Sequence, residues 1–336
     1  MRFSLLLITC CTLSPWLIPQ ASAQLLFESN DPLEMTLTVD ITALQGDRGS
    51  RPSYHKARLA YTTPEGEFAT AKLKVKARGA YRLDPYICDF PPLRFNFDKD
   101  DNLPAPFTGQ NKLKVVTHCH EDQYIFREYY LYRAYNLFTD KSFRVRLAKI
   151  TYEDSKGVEP AVTRWAFFIE SEKNMAARNE ATSLSEDIVL QPEEVDREQL
   201  TLCHLFNYMI ANRDFRVSEY QNLKIITNGS DLPVVVPYDF DWSGMVDAPY
   251  TKRRGDTKPS YEERQMFRPL CRDEAEYQAM IQRFEEKRGA IEALYETSPY
   301  LDDAQKKESL KYYKKFYKSL GKSKTMKEVF LAACNQ

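Results

Sequence analysis

Four side chains in the second half of the chain are of types that hold hard cations and move protons: Asp214, Asn222, Asp239 and Asp241. Asp239 and Asp241 flank Phe240 where the apolar run Val234-Val235-Val236 ends, in the stretch VVVPYDFDWSG. Carboxylates beside a core cost solvation energy unless a positive side chain or a metal ion meets them. Two carboxylates and an amide oxygen form a hard-oxygen set suited to Mg²⁺ or Mn²⁺. Such ions take few protein ligands and complete their shell with phosphate oxygens. A further Asp in the same cavity can accept the proton of an attacking hydroxyl.

The elements around these residues must bring them together. Asp196 is placed to cap a helix running to Ala211, with Leu200, Leu202, Cys203, Phe206, Met209 and Ile210 mostly on one side. That helix ends at Asn212-Arg213-Asp214. Two strands follow, Leu223–Thr227 and Val234–Val236, joined through Asn228-Gly229-Ser230-Asp231. Asn-Gly between apolar runs marks a hairpin. A hairpin returns its last residue to its first, so Asn222 is expected beside Asp239, with Asp214 facing the same cavity.

Upstream, alternation of apolar and polar residues predicts strands at 33–41, 56–62, 67–78, 91–97 and 112–116. The period changes at 122–138, where Tyr124, Ile125, Glu128, Tyr129, Leu131, Tyr132, Tyr135 and Leu137 recur at helical spacing. Strands at 143–152 and 165–170 complete the first half. The second half opens with a polar stretch at 171–197; after the helix and hairpin, 242–270 reads as irregular and charged and the rest as helical, with a Lys/Tyr-rich segment at 306–323.

The order helix, Asn212-Arg213-Asp214, Asn222, hairpin, Asp239-Phe240-Asp241 resembles the catalytic and metal-binding loops of protein kinases. It is closer to the atypical secreted kinases of the spore coat protein H (CotH) family. The further matches are Lys76-Ala77-Arg78-Gly79, Pro92-Leu93-Arg94-Phe95, the helix at 122–138 and Phe168-Ile169-Glu170, so the resemblance covers roughly residues 70–245. Asn212 stands where the kinase loop has His, Asp214 and Asn222 are eight apart rather than five, and Ala80 stands where the family has Asn. The resemblance implies an α+β, bilobal protein-kinase-like fold: a β-rich N-lobe over 24–170 and a mostly helical C-lobe over 171–336. It implies Asp214 as catalytic base, Asp239 and Asn222 as metal ligands and Asp241 as an auxiliary one, with ATP and Mg²⁺ or Mn²⁺ as cofactors. For the nucleotide phosphates it favours Lys114 paired with Glu128; Lys76, Arg78 and Arg94 compete for that role. The acceptor would be a hydroxyl on a protein or small molecule.

Other readings stand beside these. Asp239 and Asp241 alone suit a turn after a strand, and Lys112 or Lys114 with Glu128 suits a surface charge pair. A catalytically inactive binding or envelope-structural protein is the alternative to a kinase, and a phosphotransferase or hydrolase with another donor is a third. His118-Cys119-His120 invites a metal reading, but alternate residues of a strand face opposite ways. His204 lies on an apolar helix face and reads as a core residue. Arg144 and Arg146 alternate with apolar residues, as on a solvated strand face or a cleft wall.

Residues 1–23 read as an export signal: Arg2, the apolar run Leu5–Ile8, and Ala21-Ser22-Ala23 before Gln24. The expected location is periplasmic or extracellular, with no transmembrane segment in the mature chain. A net charge of −1 over 336 residues gives no overall nucleic-acid footprint. Beyond the leader lie Cys88, Cys119, Cys203, Cys271 and Cys334. Cys88 and Cys119 lie near the ends of adjacent predicted strands and either pair or stay as buried thiols.

Overall fold

A computed structural model describes residues 25–98, 102–251 and 270–331. The expected leader and Cys334 lie outside the described residues. Seven strands, β1 (Leu33–Val39), β2 (His55–Thr62), β3 (Phe68–Ala77), β4 (Leu93–Phe97), β5 (Lys112–Thr117), β6 (Val145–Asp154) and β7 (Val162–Ile169), close into a barrel in the order β1-β2-β3-β4-β5-β7-β6. Neighbours are antiparallel except β1 and β6, which pair in parallel from Leu33↔Ala148 to Val39↔Asp154. A smaller antiparallel sheet holds β8 (Thr182–Ser183), β9 (Leu223–Thr227) and β10 (Val234–Pro237) in the order β10-β9-β8. The α-helices among the described residues are α1 (Ile41–Gly46), α2 (Gln123–Asn136), α3 (Glu172–Arg178), α4 (Arg197–Met209), α5 (Glu274–Glu296), α6 (Asp303–Leu320) and α7 (Ser323–Thr325).

Strand alternation explains the barrel interior. In β3, Ala69, Ala71, Leu73, Val75 and Ala77 are buried, while Phe68, Thr70, Lys72 and Lys74 face out. Leu37, Leu59, Phe95, Leu113, Ile150 and Phe168 join Leu73 and Val75 inside, and Phe107 packs among the rings at 5.7 Å from Phe168. β6 and β7 instead carry near-continuous apolar runs, because both of their faces are covered. Ala148, Ile150, Ala166 and Phe168 face the barrel interior; Val145, Leu147, Phe167 and Ile169 belong to the core shared with the helices.

The bilobal protein-kinase-like fold expected from the resemblance is not formed. Seven mixed strands close on themselves, because β1 bonds to β6 as well as to β2. Closure removes the open edges that a separate β-rich lobe would expose. The helices do not make a lobe of their own either: one apolar cluster runs from Leu147 and Phe167 on the barrel wall through Phe206 and Phe240 to Phe284 and Phe316. Among the described residues, no helix is long and apolar enough to cross a membrane.

Candidate functional site

The hairpin β9–β10 carries out the juxtaposition its sequence predicts. Pro237 pairs with Leu223, and the next backbone bond, Tyr238 N–H to the Asn222 carbonyl at 3.0 Å, sets Asn222 beside Asp239. The Asn222 side-chain amide donates to the Asp214 carboxylate and to the Asp214 carbonyl, each at 2.7 Å. Gln221 donates to the other carboxylate oxygen. Asn212 braces this loop: it is 2% exposed, donates to Asn207 Oδ1 at 2.9 Å, and accepts the Asp214 backbone N–H at 3.1 Å. Asn212 thus braces the loop that carries Asp214.

Backbone strain gathers here. Asn222 and Asp239 are non-glycine residues with φ of 52° and 63°. Such conformations cost of order 1–3 kcal/mol and persist where surrounding bonds impose them. For Asp239 the restraint is visible: its N–H donates to the Tyr132 hydroxyl at 2.8 Å. Phe240 is fully buried against Tyr132, Tyr135 and Phe206, with ring centres 4.9, 6.4 and 5.7 Å away. Phe240 therefore anchors the carboxylates on either side of it.

A cavity of about 120 Å³ opens between this loop and the barrel end, lined by Arg78, Arg82, Asp214, Asn222, Asp239 and Asp241. The half-exposed rings of Tyr81 and Trp242 meet edge to face beside it, 5.4 Å between centres. Asp241 is 6% exposed and accepts from the Tyr250 hydroxyl at 2.9 Å. Burial and the nearby Asp239 carboxylate push its pKa up to about 8. Glu128 on α2 is 2% exposed; burial, then Asp241 and Asp239, raise its pKa well above the carboxylate range. Its Oε1 has no hydrogen-bond partner.

The basic residues sort differently from expectation. Among the described residues no ion pair joins Lys114 to Glu128. The Lys114 ammonium lies 4.6 Å from the Tyr238 ring centre. Burial and the neighbouring Arg78 lower its pKa to about 8, against the pull of Asp239. Glu128 lies instead close to the Asp239–Asp241 loop, on α2, which packs against β6 and β7. Arg78 lines the cavity, its pKa lowered by burial and held up by Asp239. Arg94, close enough to lower the pKa of Arg78, pairs across the sheet with Lys76 and Lys114, and Lys76 lies over the Tyr54 ring at 4.9 Å; neither Arg94 nor Lys76 lines the cavity.

No motif or periodicity marks Arg82 in the sequence, yet it is the cation that lowers the pKa of both Glu128 and Asp241. It sits in the irregular loop after Gly79. Tyr132 reads in the sequence as one of the apolar helix positions of 122–138, and Tyr250 lies in a stretch without periodicity, so neither is marked there as the polar partner it is. Several other expectations resolve. Cys88 and Cys119 form a disulfide with Cα atoms 4.8 Å apart, so Cys119 offers no thiolate beside His118 and His120. Cys203 is a buried free thiol. His204 is 8% exposed on α4. Arg146 is buried and donates to the Asp31 and Leu26 carbonyls, while Arg144 lines a separate hollow.

Among the described residues no three His, Cys, Asp or Glu side chains gather closely enough to hold a metal alone. Mg²⁺ rarely uses such a cage, taking one or two carboxylates, waters and substrate phosphates. The donors present fit that pattern: Asp239, the Asn222 amide oxygen and Asp241. The raised Asp241 and the unpartnered Glu128 Oε1 register a shortage of positive charge that a divalent cation would relieve. No protein-family model matches the chain, and no curated protein matches it.

Proposed function

We propose that this cleft transfers the γ-phosphoryl group of ATP to a hydroxyl acceptor in the presence of Mg²⁺ or Mn²⁺, as its likeness to the CotH kinases implies. The activity is argued from the site and does not require the kinase fold. The observation that carries it is the hydrogen-bonded Asp214–Asn222 pair beside Asp239, facing Arg78 and Arg82 across one cavity.

In this reading Asn222 and Asp239 hold the cation, with Asp241 as an auxiliary ligand. The bound cation would draw phosphate oxygens together and offset their charge. Arg78 and Arg82, which line the cavity, bind the phosphate oxygens. Lys114, Arg94 and Lys76 stand outside that lining. Asp214 orients the acceptor hydroxyl and takes its proton as the new O–P bond forms and the bond from the γ-phosphorus to its bridging oxygen breaks, releasing ADP. The cavity is smaller than the roughly 300–1,000 Å³ of a drug-sized ligand site. It suits the phosphate end, and the nucleoside would extend past Tyr81 and Trp242.

Asp214→Asn should keep the fold and a thermal stabilisation by ATP with Mn²⁺, while transfer falls by about 10²-fold or more, the range of general base loss. Asp239→Ala should lose the stabilisation itself. Wild-type transfer rates in both variants would sink the assignment. The second reading is a protein that binds without catalysis. It draws on the Asp214 carboxylate, both of whose oxygens already accept hydrogen bonds. Stabilisation by ATP and Mn²⁺ without transfer to any hydroxyl supports it.

A further inference from the structure

The outer face of β2–β5 concentrates positive charge that nothing in the fold requires. Strand register sets Lys56 opposite Lys74, Arg58 opposite Lys72, Lys76 opposite Arg94, and Arg94 opposite Lys114. Asn96 lies between Lys74 and Lys112. Like charges directly opposite one another on a sheet destabilise it. Among the described residues, no ion pair neutralises Lys56, Arg58, Lys72, Lys74 or Lys112. The chain as a whole carries a net charge of only −1, so the clustering is not a consequence of general basicity. Lys56, Lys72, Lys74, Asn96 and Lys112 border a shallow hollow of about 540 Å³, with Asp98 as the carboxylate among its described lining.

The geometry is directional. Along β3, Lys72, Lys74 and Lys76 point outward at every second residue, and Arg78 continues the file into the cavity. Their spacing is about 6.6 Å, twice the rise of a strand. An extended polypeptide with acidic residues at alternate positions carries its carboxylates at the same interval. The barrel has no free edge, so such a chain cannot be bound by adding a strand; recognition must run through side chains. We propose that this face docks an extended acidic segment of a polypeptide acceptor and delivers a neighbouring hydroxyl to Asp214. This rests on the phosphotransfer reading and names its acceptor class.

Other polyanions fit less well. Nucleic-acid single strands are gripped by stacking on aromatic rings, and the ring within this file, Tyr54, is covered by the Lys76 ammonium. Phosphate recognition favours the arginine fork, whereas lysine dominates here. A membrane surface would be met by apolar side chains among the cations; Phe68, 78% exposed, stands at the far end of β3.

The test is fluorescence anisotropy of a labelled peptide alternating Glu and Thr, measured without ATP. Wild-type protein should bind it more tightly than a Gln/Thr control. The double variant Lys72→Glu, Lys74→Glu should bind about tenfold more weakly, since several exposed ion pairs become repulsions. Its melting temperature should hold or rise, because the new glutamates face Arg58 and Lys56. It should also keep stabilisation by ATP with Mn²⁺, since neither lysine lines the cavity. Equal binding of both peptides, or undiminished binding by the variant, overturns the docking proposal. So does binding of polyuridylate or phosphatidylserine vesicles, but not the Glu/Thr peptide, through the same lysines. Transfer is read separately, as phosphothreonine in the bound peptide. Charge-dependent binding with no transfer to any hydroxyl removes the phosphotransfer reading and leaves the docking surface standing.

Discussion

Glu128 and Asp241 are buried carboxyls whose proton affinity is raised, by burial first and then by neighbouring carboxylates, and His118 is the inverse case. His118 is 7% exposed, stacks on Phe90 at 5.0 Å, and its Nδ1 has no hydrogen-bond partner. Burial first, then the Arg164 and Arg82 guanidinium groups, lower its pKa from 6.5 to about 3, against the opposing pull of Asp89. Below about pH 6.5 the unfolded chain takes up this proton and the folded chain does not, so falling pH favours unfolding. His118 therefore subtracts about 1.4 kcal/mol of stability per pH unit as pH falls from 6.5 towards 3. Denaturant midpoints compared between about pH 7 and pH 5 should drop in the wild type. His118→Phe should flatten that part of the slope.

At the scale of elements, the junction of β7 with α3 is held by a buried ion pair. Glu170 follows β7, and Arg178 closes α3; the guanidinium donates to both carboxylate oxygens at 3.2 and 2.9 Å. Arg178 also donates to the Asp140 and Ser142 carbonyls, and Glu170 accepts the Arg144 backbone N–H. With every group engaged, removing one partner strands the other charge in the core. Glu170→Ala should cost about 3–5 kcal/mol, read as a shift in the urea midpoint. Double replacement by apolar residues of similar volume should cost much less. The resemblance to CotH kinases marks this glutamate, and the structure gives it a bracing task on Arg178 and the Arg144 N–H.

For the whole molecule, barrel and helices share one apolar cluster, so they should unfold together as one cooperative transition. The Cys88–Cys119 disulfide closes a 31-residue loop containing β4 and β5. Loop entropy predicts about 3–4 kcal/mol lost on its reduction. Calorimetry with and without reductant should therefore show a single transition moved to lower temperature, not two separated ones. Two transitions would indicate that the barrel interior, with its own cluster around Phe95, Phe107 and Phe168, unfolds independently.

Much of the secondary structure follows from local pattern. Two-residue alternation marks β3 from end to end, Asp196 caps α4 through the Gln199 N–H, and Asn228-Gly229 turns the β9–β10 hairpin. The meeting of Asn222 with Asp239 is equally legible, because a hairpin's closure is a short-range property. What the sequence could not announce is how distant strands pair. The parallel bonding of β1 to β6 joins residues more than a hundred positions apart, and many other pairings satisfy the same alternation. For that reason the bilobal expectation failed while its individual strands appeared. The placing of Glu128 close to the Asp239–Asp241 loop, and not in a pair with Lys114, depends on which wall α2 packs against. The partnership of Arg82 with both buried carboxyls depends on the path of an irregular loop. The basic face is intermediate: alternation puts Lys72, Lys74 and Lys76 on one side, but only register sets them opposite Lys56, Arg58 and Arg94. Local periodicity thus determines which way a side chain faces, and long-range closure decides what it faces.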